Sequence, residues 1–171
     1  MSSFSVIIPN YNHATVLPEQ LQAILAQSLQ PMEIIVVDDC STDNSCEVVT
    51  QFQKTHPHLS LVKLEKNSGG PIVPVEIGLR IAQGEYVVLC ASDDIIQPGF
   101  FEESIDCVSR HPEVAICFGK FVAFEDQKPY VFQQVSLSLI HTAKIFYPYY
   151  YRSCYGEPVN SHRYSIYPIR K

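Results

Sequence analysis

The chain has 171 residues, 46% hydrophobic and 18% charged, enough apolar material for one globular unit with a sizeable buried core. A net charge of −6 argues against nucleic acid as a partner, because a phosphate-backbone binder needs an excess of Lys and Arg; a small anion bound through a divalent cation stays compatible. No apolar run reaches the roughly 18 residues of a membrane span, and the first five residues lack the basic flank of a secretion signal, so the expected location is cytoplasmic.

Phe4 to Ile8 form a nearly continuous apolar run ended by Pro9, the pattern of a strand buried on both faces. A helix is predicted next, with Thr15 as N-cap, Pro18 and Glu19 in its first turn, and Leu21, Ile24, Leu25 and Ser28 on one face. Glu33 to Val37 read as a second strand and Asp38 to Asp43 as a polar turn. A helix through Val48, Val49 and Phe52 follows, stopping at His56-Pro57. Leu59 to Leu64 are a third strand. After Asn67-Ser-Gly-Gly70 a helix is expected over Val75 to Ala82, closed by Gly84. Tyr86 to Cys90 are a fourth strand and Pro98 to Arg110 a helix, while Val114 to Phe124 read as one long strand or two short ones.

This β-α-β-α rhythm predicts an α/β fold with a mostly parallel central sheet and helices on both faces. The rhythm stops near Asp126. Residues 1–125 therefore read as one unit and 126–171 as the start of another region, with a strand then a short helix over Val131 to Ile140 and an aromatic stretch from Phe146 to Tyr155. The run Tyr147-Pro-Tyr-Tyr-Tyr151 reads as half-buried packing, as a sugar-stacking surface or as a subunit contact. The six cysteines include no C-x-x-C pair and are expected to be reduced, mostly buried small hydrophobes.

In parallel α/β sheets, ligands bind beyond the carboxyl ends of the strands. Strand one leads to Asn10-Tyr11-Asn12, strand two to Asp38-Asp39 and strand four to Asp93-Asp94, which gathers Tyr11 and four carboxylates on one rim. Such carboxylates repel unless a cation or hydrogen-bond donors compensate, and a hard divalent ion with oxygen ligands suits them. Taken singly, an Asp after a strand is also a common turn former, which is the reading given to Asp43, and His13 reads as a turn residue rather than a ligand. No G-x-G-x-x-G or G-x-x-x-x-G-K-[ST] is present. A nucleotidyltransferase would need a Gly-rich, basic loop after strand one, and Pro9-Asn-Tyr-Asn-His13 contains no Gly, Arg or Lys.

The strings VIIPNYN, EIIVVDDCSTDNS, KNSGGPIVP and GLRIAQGEYVVLCASDD, followed by QPGF, resemble in order and spacing the signature of family 2 glycosyltransferases. The resemblance runs from Phe4 to about Phe124 and implies the GT-A fold, with transfer of a sugar from a nucleoside diphosphate donor, typically a UDP-sugar, to a glycan or lipid-linked acceptor. By that resemblance Pro9, Tyr11, Asp39, Asn67, Gly70 and Asp93 belong to the donor site. Tyr11 would stack on the base, Asp39 accept the base N3–H, and Asp38 hold the loop. Asp94, with Asp93, would bind the Mg²⁺ or Mn²⁺ that bridges the diphosphate, and transfer would proceed with inversion. Peripheral membrane association and self-association are compatible with such a role.

The resemblance departs at three points. Ala91 stands where the family often has Asp. Val75-Glu76 replace an Arg-Asn pair, for which Arg80 one turn on is either a compensating charge or a surface residue. The family's general base normally follows the acceptor-binding segment, whose entry Tyr155 to Arg170 resemble, so the expectation is that this chain does not carry it; Asp126 and Glu157 are the acidic residues available as substitutes. An impaired or non-catalytic module of the same fold, used for binding or oligomer assembly, is the alternative reading.

Overall fold

Four parallel strands make the frame. In the computed structural model, which describes residues 3–111, 117–118, 123–125, 128–130 and 165–168, they are β1 (Phe4–Asn10), β2 (Glu33–Asp38), β3 (Leu59–Lys63) and β4 (Tyr86–Leu89). They are linked by α1 (Leu17–Leu25), α2 (Ser45–Gln53) and α3 (Ile72–Ile81), and α4 (Phe100–Arg110) follows β4. Beyond it lie the short strands β5 (Cys117–Phe118), β6 (Ala123–Glu125), β7 (Lys128–Tyr130) and β8 (Ser165–Pro168). The sheet order is β3-β2-β1-β4-β8-β5; β8 runs antiparallel to β4 and β5, and β6-β7 form a separate ladder. Residues 165–168 are thus a strand of the main sheet, which their resemblance to an acceptor-binding segment did not suggest.

Alternation along β1 explains the two layers. Phe4, Val6 and Ile8 face the larger core, with Leu17, Leu21 and Ile24 of α1, Val49 of α2, and Phe101, Ile105 and Val108 of α4. Ile7 faces the other way, with Ile35, Val37, Val87 and the α3 side, so helices cover both faces as the rhythm predicts. Phe4 and Phe101 meet edge to face at 5.1 Å between ring centroids. Gly78 lets α3 settle on the sheet: a Cβ there would lie 2.5 Å from Ile7 Cγ2.

Helix starts differ from expectation. α1 begins at Leu17, not after a Thr15 cap: the His13 carbonyl accepts the Val16 and Leu17 N–H groups, and no side chain caps the helix at Val16. It also ends at Leu25, before Ser28. α3 begins at Ile72, three residues earlier than expected, because Pro74 falls in the first turn, where a missing N–H costs nothing. α4 begins at Phe100 behind Gly99, which sits at φ 82°. Cys46 and Cys90 are buried and Cys40 and Cys107 partly so; Cys40, Cys46 and Cys90 are free thiols. Burial, followed by the nearby Asp94 charge, pushes the Cys90 thiol far up; burial and then Asp38 raise Cys46. Both stay neutral. No helix among the described residues is long and apolar enough to cross a membrane. Asp126, Glu157, Val131 to Ile140 and the Phe146 to Tyr155 stretch lie outside the described residues.

Candidate donor site at the carboxyl edge

The strand order reverses at β1, whose neighbours are β2 and β4, and a parallel sheet opens a ligand crevice at such a point. Asn10 and Asp38 are the last residues paired between β1 and β2, so Tyr11 and Asp39 leave the sheet side by side. The Asp39 N–H donates to the Asn10 carbonyl at 2.8 Å and closes that corner. Tyr11 is 44% exposed, a ring presented to solvent beside a carboxylate that is only 3% exposed.

Beneath this corner lies a polar network. Asp38 is buried and accepts from Asn10 Nδ2 (2.8 Å), the Ser41 N–H (2.9 Å) and Ser41 Oγ (2.6 Å). Asn12, at φ 55°, accepts the Thr42 N–H at 2.8 Å through Oδ1, and its own N–H donates to Ser41 Oγ. Asp43 accepts the Ala14 N–H with one oxygen (2.8 Å) and the Ser45 N–H and hydroxyl with the other. Burial alone would raise its carboxyl, but these bonds, with His13 nearby, outweigh it and hold it below the usual value of 3.8. Asp43 is therefore a turn former, as its position suggested, with a further bond across the loops.

Asp39 has donors of its own. The Ser68 N–H and hydroxyl reach its two oxygens, each at 2.9 Å, and Asn67 Nδ2 donates to the Asp39 carbonyl at 3.1 Å. Gly69 at φ 84° and the exposed Gly70 complete that loop, with the Gly70 carbonyl 3.0 Å from Ser68 Oγ. Each carboxylate oxygen has two lone-pair sites, so Asp39 keeps acceptor capacity for a base N–H. Of the rim carboxylates expected to be compensated by a cation or by hydrogen-bond donors, Asp38 and Asp39 are compensated by donors.

Asp93 and Asp94 sit on a β-turn after β4. The Asp94 N–H donates to the Ala91 carbonyl at 3.3 Å, with Ser92 and Asp93 at the corners. Ser92 is buried, its hydroxyl 2.6 Å from His13 Nδ1, which ties the turn to the loop after β1. Gln20 and Gln27 of the α1 region hold the same segment from below, Gln20 at Ala91 and Ile96 and Gln27 at the Gln97 carbonyl. Asp93 and Asp94 are half-buried. Among the described residues no three His, Cys, Asp or Glu side chains form a ready-made metal cage. Two carboxylates are the usual protein share when substrate phosphates and water complete a Mg²⁺ or Mn²⁺ shell, so this donor set fits a metal that arrives with a diphosphate.

Tyr11, Asp39, Asn67, Gly70, Asp93 and Asp94 therefore lie in loops of one edge, and Pro9 stays within β1. Arg80 does not join them. α3 runs away from this edge: three residues past Arg80, the Gln83 N–H bonds Glu33 at the start of β2, and the Arg80 guanidinium pairs with Glu76 at 2.6 Å in the open. Sequence reasoning missed Ser68, Gln20 and Gln27; for the glutamines a signal existed, since Leu17, Gln20, Leu21, Ile24 and Gln27 share one helical spacing.

The model of the glycosyl transferase family 2 matches residues 5–167. The chain is 35% identical over 113 residues to the poly(ribitol-phosphate) beta-N-acetylglucosaminyltransferase TarS of Staphylococcus aureus, covering 65% of this chain and 20% of that protein. It is 39% identical over 122 residues to the glycosyltransferase GlyG of Streptococcus pneumoniae, covering 71% of this chain and 40% of that protein. The chain thus spans well under half the length of these curated relatives. Among solved structures it resembles S. aureus TarS 1–349 in complex with UDP-GlcNAc (TM-score 0.61, 34% identity, 67% of this chain and 33% of that one). It also resembles the Pyrobaculum calidifontis mannosyltransferase PcManGT in complex with GDP-Man and Mn²⁺ (TM-score 0.62, 30% identity, 67% and 34%). With its GT-A fold and a family match along nearly its whole length, the chain belongs to glycosyl transferase family 2.

Proposed function

We propose that this chain binds a nucleoside diphosphate sugar, a UDP-sugar in particular, as the donor half of a metal-dependent, inverting glycosyltransferase. The observation that carries the reading is the placement of an exposed tyrosine, a buried carboxylate with spare acceptor capacity and a two-aspartate turn on the loops of one sheet edge. Relatives bound to UDP-GlcNAc and to GDP-Man with Mn²⁺ support it. Tyr11 offers its ring face to the base. Asp39 accepts the base N3–H, which uracil provides and cytosine lacks. Asn67, Ser68 and Gly70 shape the wall beside the base. Asp94, with Asp93, would hold a Mg²⁺ or Mn²⁺, which when bound would supply positive charge to a departing diphosphate. The sugar then passes to a hydroxyl of a glycan or lipid-linked acceptor, and the names of the teichoic-acid relatives favour a cell-surface polymer.

Calorimetric titration with UDP, GDP and CDP, with Mn²⁺ and with EDTA, tests this. UDP should bind most tightly, CDP least, and Mn²⁺ should strengthen UDP binding; equal affinities for UDP and CDP would refute the role of Asp39. Metal-dependent hydrolysis across a panel of UDP-sugars separates a transferase from a non-catalytic module of the same fold.

A further inference from the structure

Gln20 is fully buried on the core-facing stripe of α1, beside Leu17, Leu21 and Ile24, where an apolar side chain would be the default. A buried amide is tolerated only when its polar ends are partnered. Both ends of Gln20 are, and by one segment: Nε2 donates to the Ala91 carbonyl at 3.1 Å, and Oε1 accepts the Ile96 N–H at 3.3 Å. These two points bracket Asp93 and Asp94. The Ala91 carbonyl is also the acceptor of the turn bond from the Asp94 N–H, so Gln20 grips the turn at its closing bond. His13 meets the next residue, Ser92, at 2.6 Å.

We propose that Gln20 is a positioning residue for donor binding, fixing from the core side the turn that presents Asp93 and Asp94 to a metal–diphosphate group. The inference rests on the donor-site reading above. Sites of this kind need their ligands held to about half an ångström by a supporting shell, and this turn lies outside any helix or strand ladder. A leucine at position 20 would fill the stripe yet leave the Ile96 N–H without its acceptor. The loop, not the core, accounts for the amide.

The test compares the full chain with Gln20→Met, which keeps length and apolar volume, and with Val49→Ala, a core change on α2 that removes no hydrogen bond to the β4 turn. Two quantities are read: the gain in UDP affinity on replacing EDTA by Mn²⁺, and hydrogen exchange at the Ile96 and Asp94 amides in metal-free protein. Gln20→Met should lose about tenfold of the Mn²⁺ gain, a change on the scale of one to two lost hydrogen bonds, with affinity in EDTA within twofold and Ile96 exchange accelerated. Val49→Ala should keep the gain. A Mn²⁺ gain that survives intact in Gln20→Met, or is lost equally in Val49→Ala, overturns the proposal alone. A wild-type chain with no Mn²⁺ gain overturns the donor reading and the proposal together.

Discussion

Replacing Asp38 by alanine should loosen the floor of the site more than any other single change at this edge. Asp38 is 1% exposed and accepts three hydrogen bonds, from Asn10 Nδ2 and from the backbone and hydroxyl of Ser41. Bonds to a charged acceptor contribute about 1.5–3 kcal/mol each. Against their loss stands the several kcal/mol saved by no longer burying a carboxylate. After truncation, Asn10 Nδ2 keeps only its 3.3 Å contact with Ser41 Oγ, and the Ser41 N–H loses the acceptor it had in Asp38. A net cost of about 3 kcal/mol follows, which for a chain of this size lowers Tm by about 6–12 °C. Asp38→Asn keeps the shape and one carbonyl acceptor and should cost about half as much. Urea unfolding, checked for a constant m value, measures both. A cost below about 1 kcal/mol for Asp38→Ala would refute the view that these bonds hold the loops.

Asp43 is held below its usual pKa of 3.8, so its contribution is present above that value and is lost as pH falls through the folded value. The stability gap between wild type and Asp43→Asn should therefore shrink from pH 6 towards pH 3; a constant gap would contradict the bonding described. Gly78→Ala sets helix propensity, worth up to about 1 kcal/mol in favour, against a Cβ placed 2.5 Å from Ile7 Cγ2. Overpacking should win, by about 1–3 kcal/mol destabilising, with partial rescue by Ile7→Ala; a stabilised Gly78→Ala would show that α3 moves freely on the sheet. Arg80→Ala should leave UDP affinity within twofold, because the guanidinium pairs with Glu76 on the surface; a large loss would return Arg80 to the donor site.

The sheet was legible because Phe4 to Ile8, Glu33 to Val37 and Tyr86 to Cys90 are apolar, β-branched runs with clear breakers, and burial on both faces leaves such runs little alternative. Helix starts were less so. Thr15 has the chemistry of a cap, but the turn at His13 and the Asp43 carboxylate satisfy the chain before it is needed. The positions of Tyr11, Asp39, Asp93 and Asp94 followed from where strands end. Their supports followed only in part: helical spacing puts Gln20 and Gln27 on the buried stripe but does not say what they bond, since Gln20 lies 71 residues from Ala91 and Ser68 lies 29 from Asp39. Hydrogen-bond donors were one of the two compensations expected for the rim carboxylates, but which residues donate could not be read for the same reason: Asn10, at the end of β1, serves Asp38 and Ser68 serves Asp39. The placement of β8 between β4 and β5 is likewise a long-range pairing that four residues of sequence cannot announce.

The most direct test of the account is the affinity of UDP for wild type and Asp94→Ala, each measured by calorimetry with Mn²⁺ and with EDTA. Wild type should bind UDP more tightly with Mn²⁺, and Asp94→Ala should lose that gain while keeping its affinity in EDTA. Equal Mn²⁺ gains in the two proteins would contradict the assignment of the β4 turn as the metal–diphosphate element.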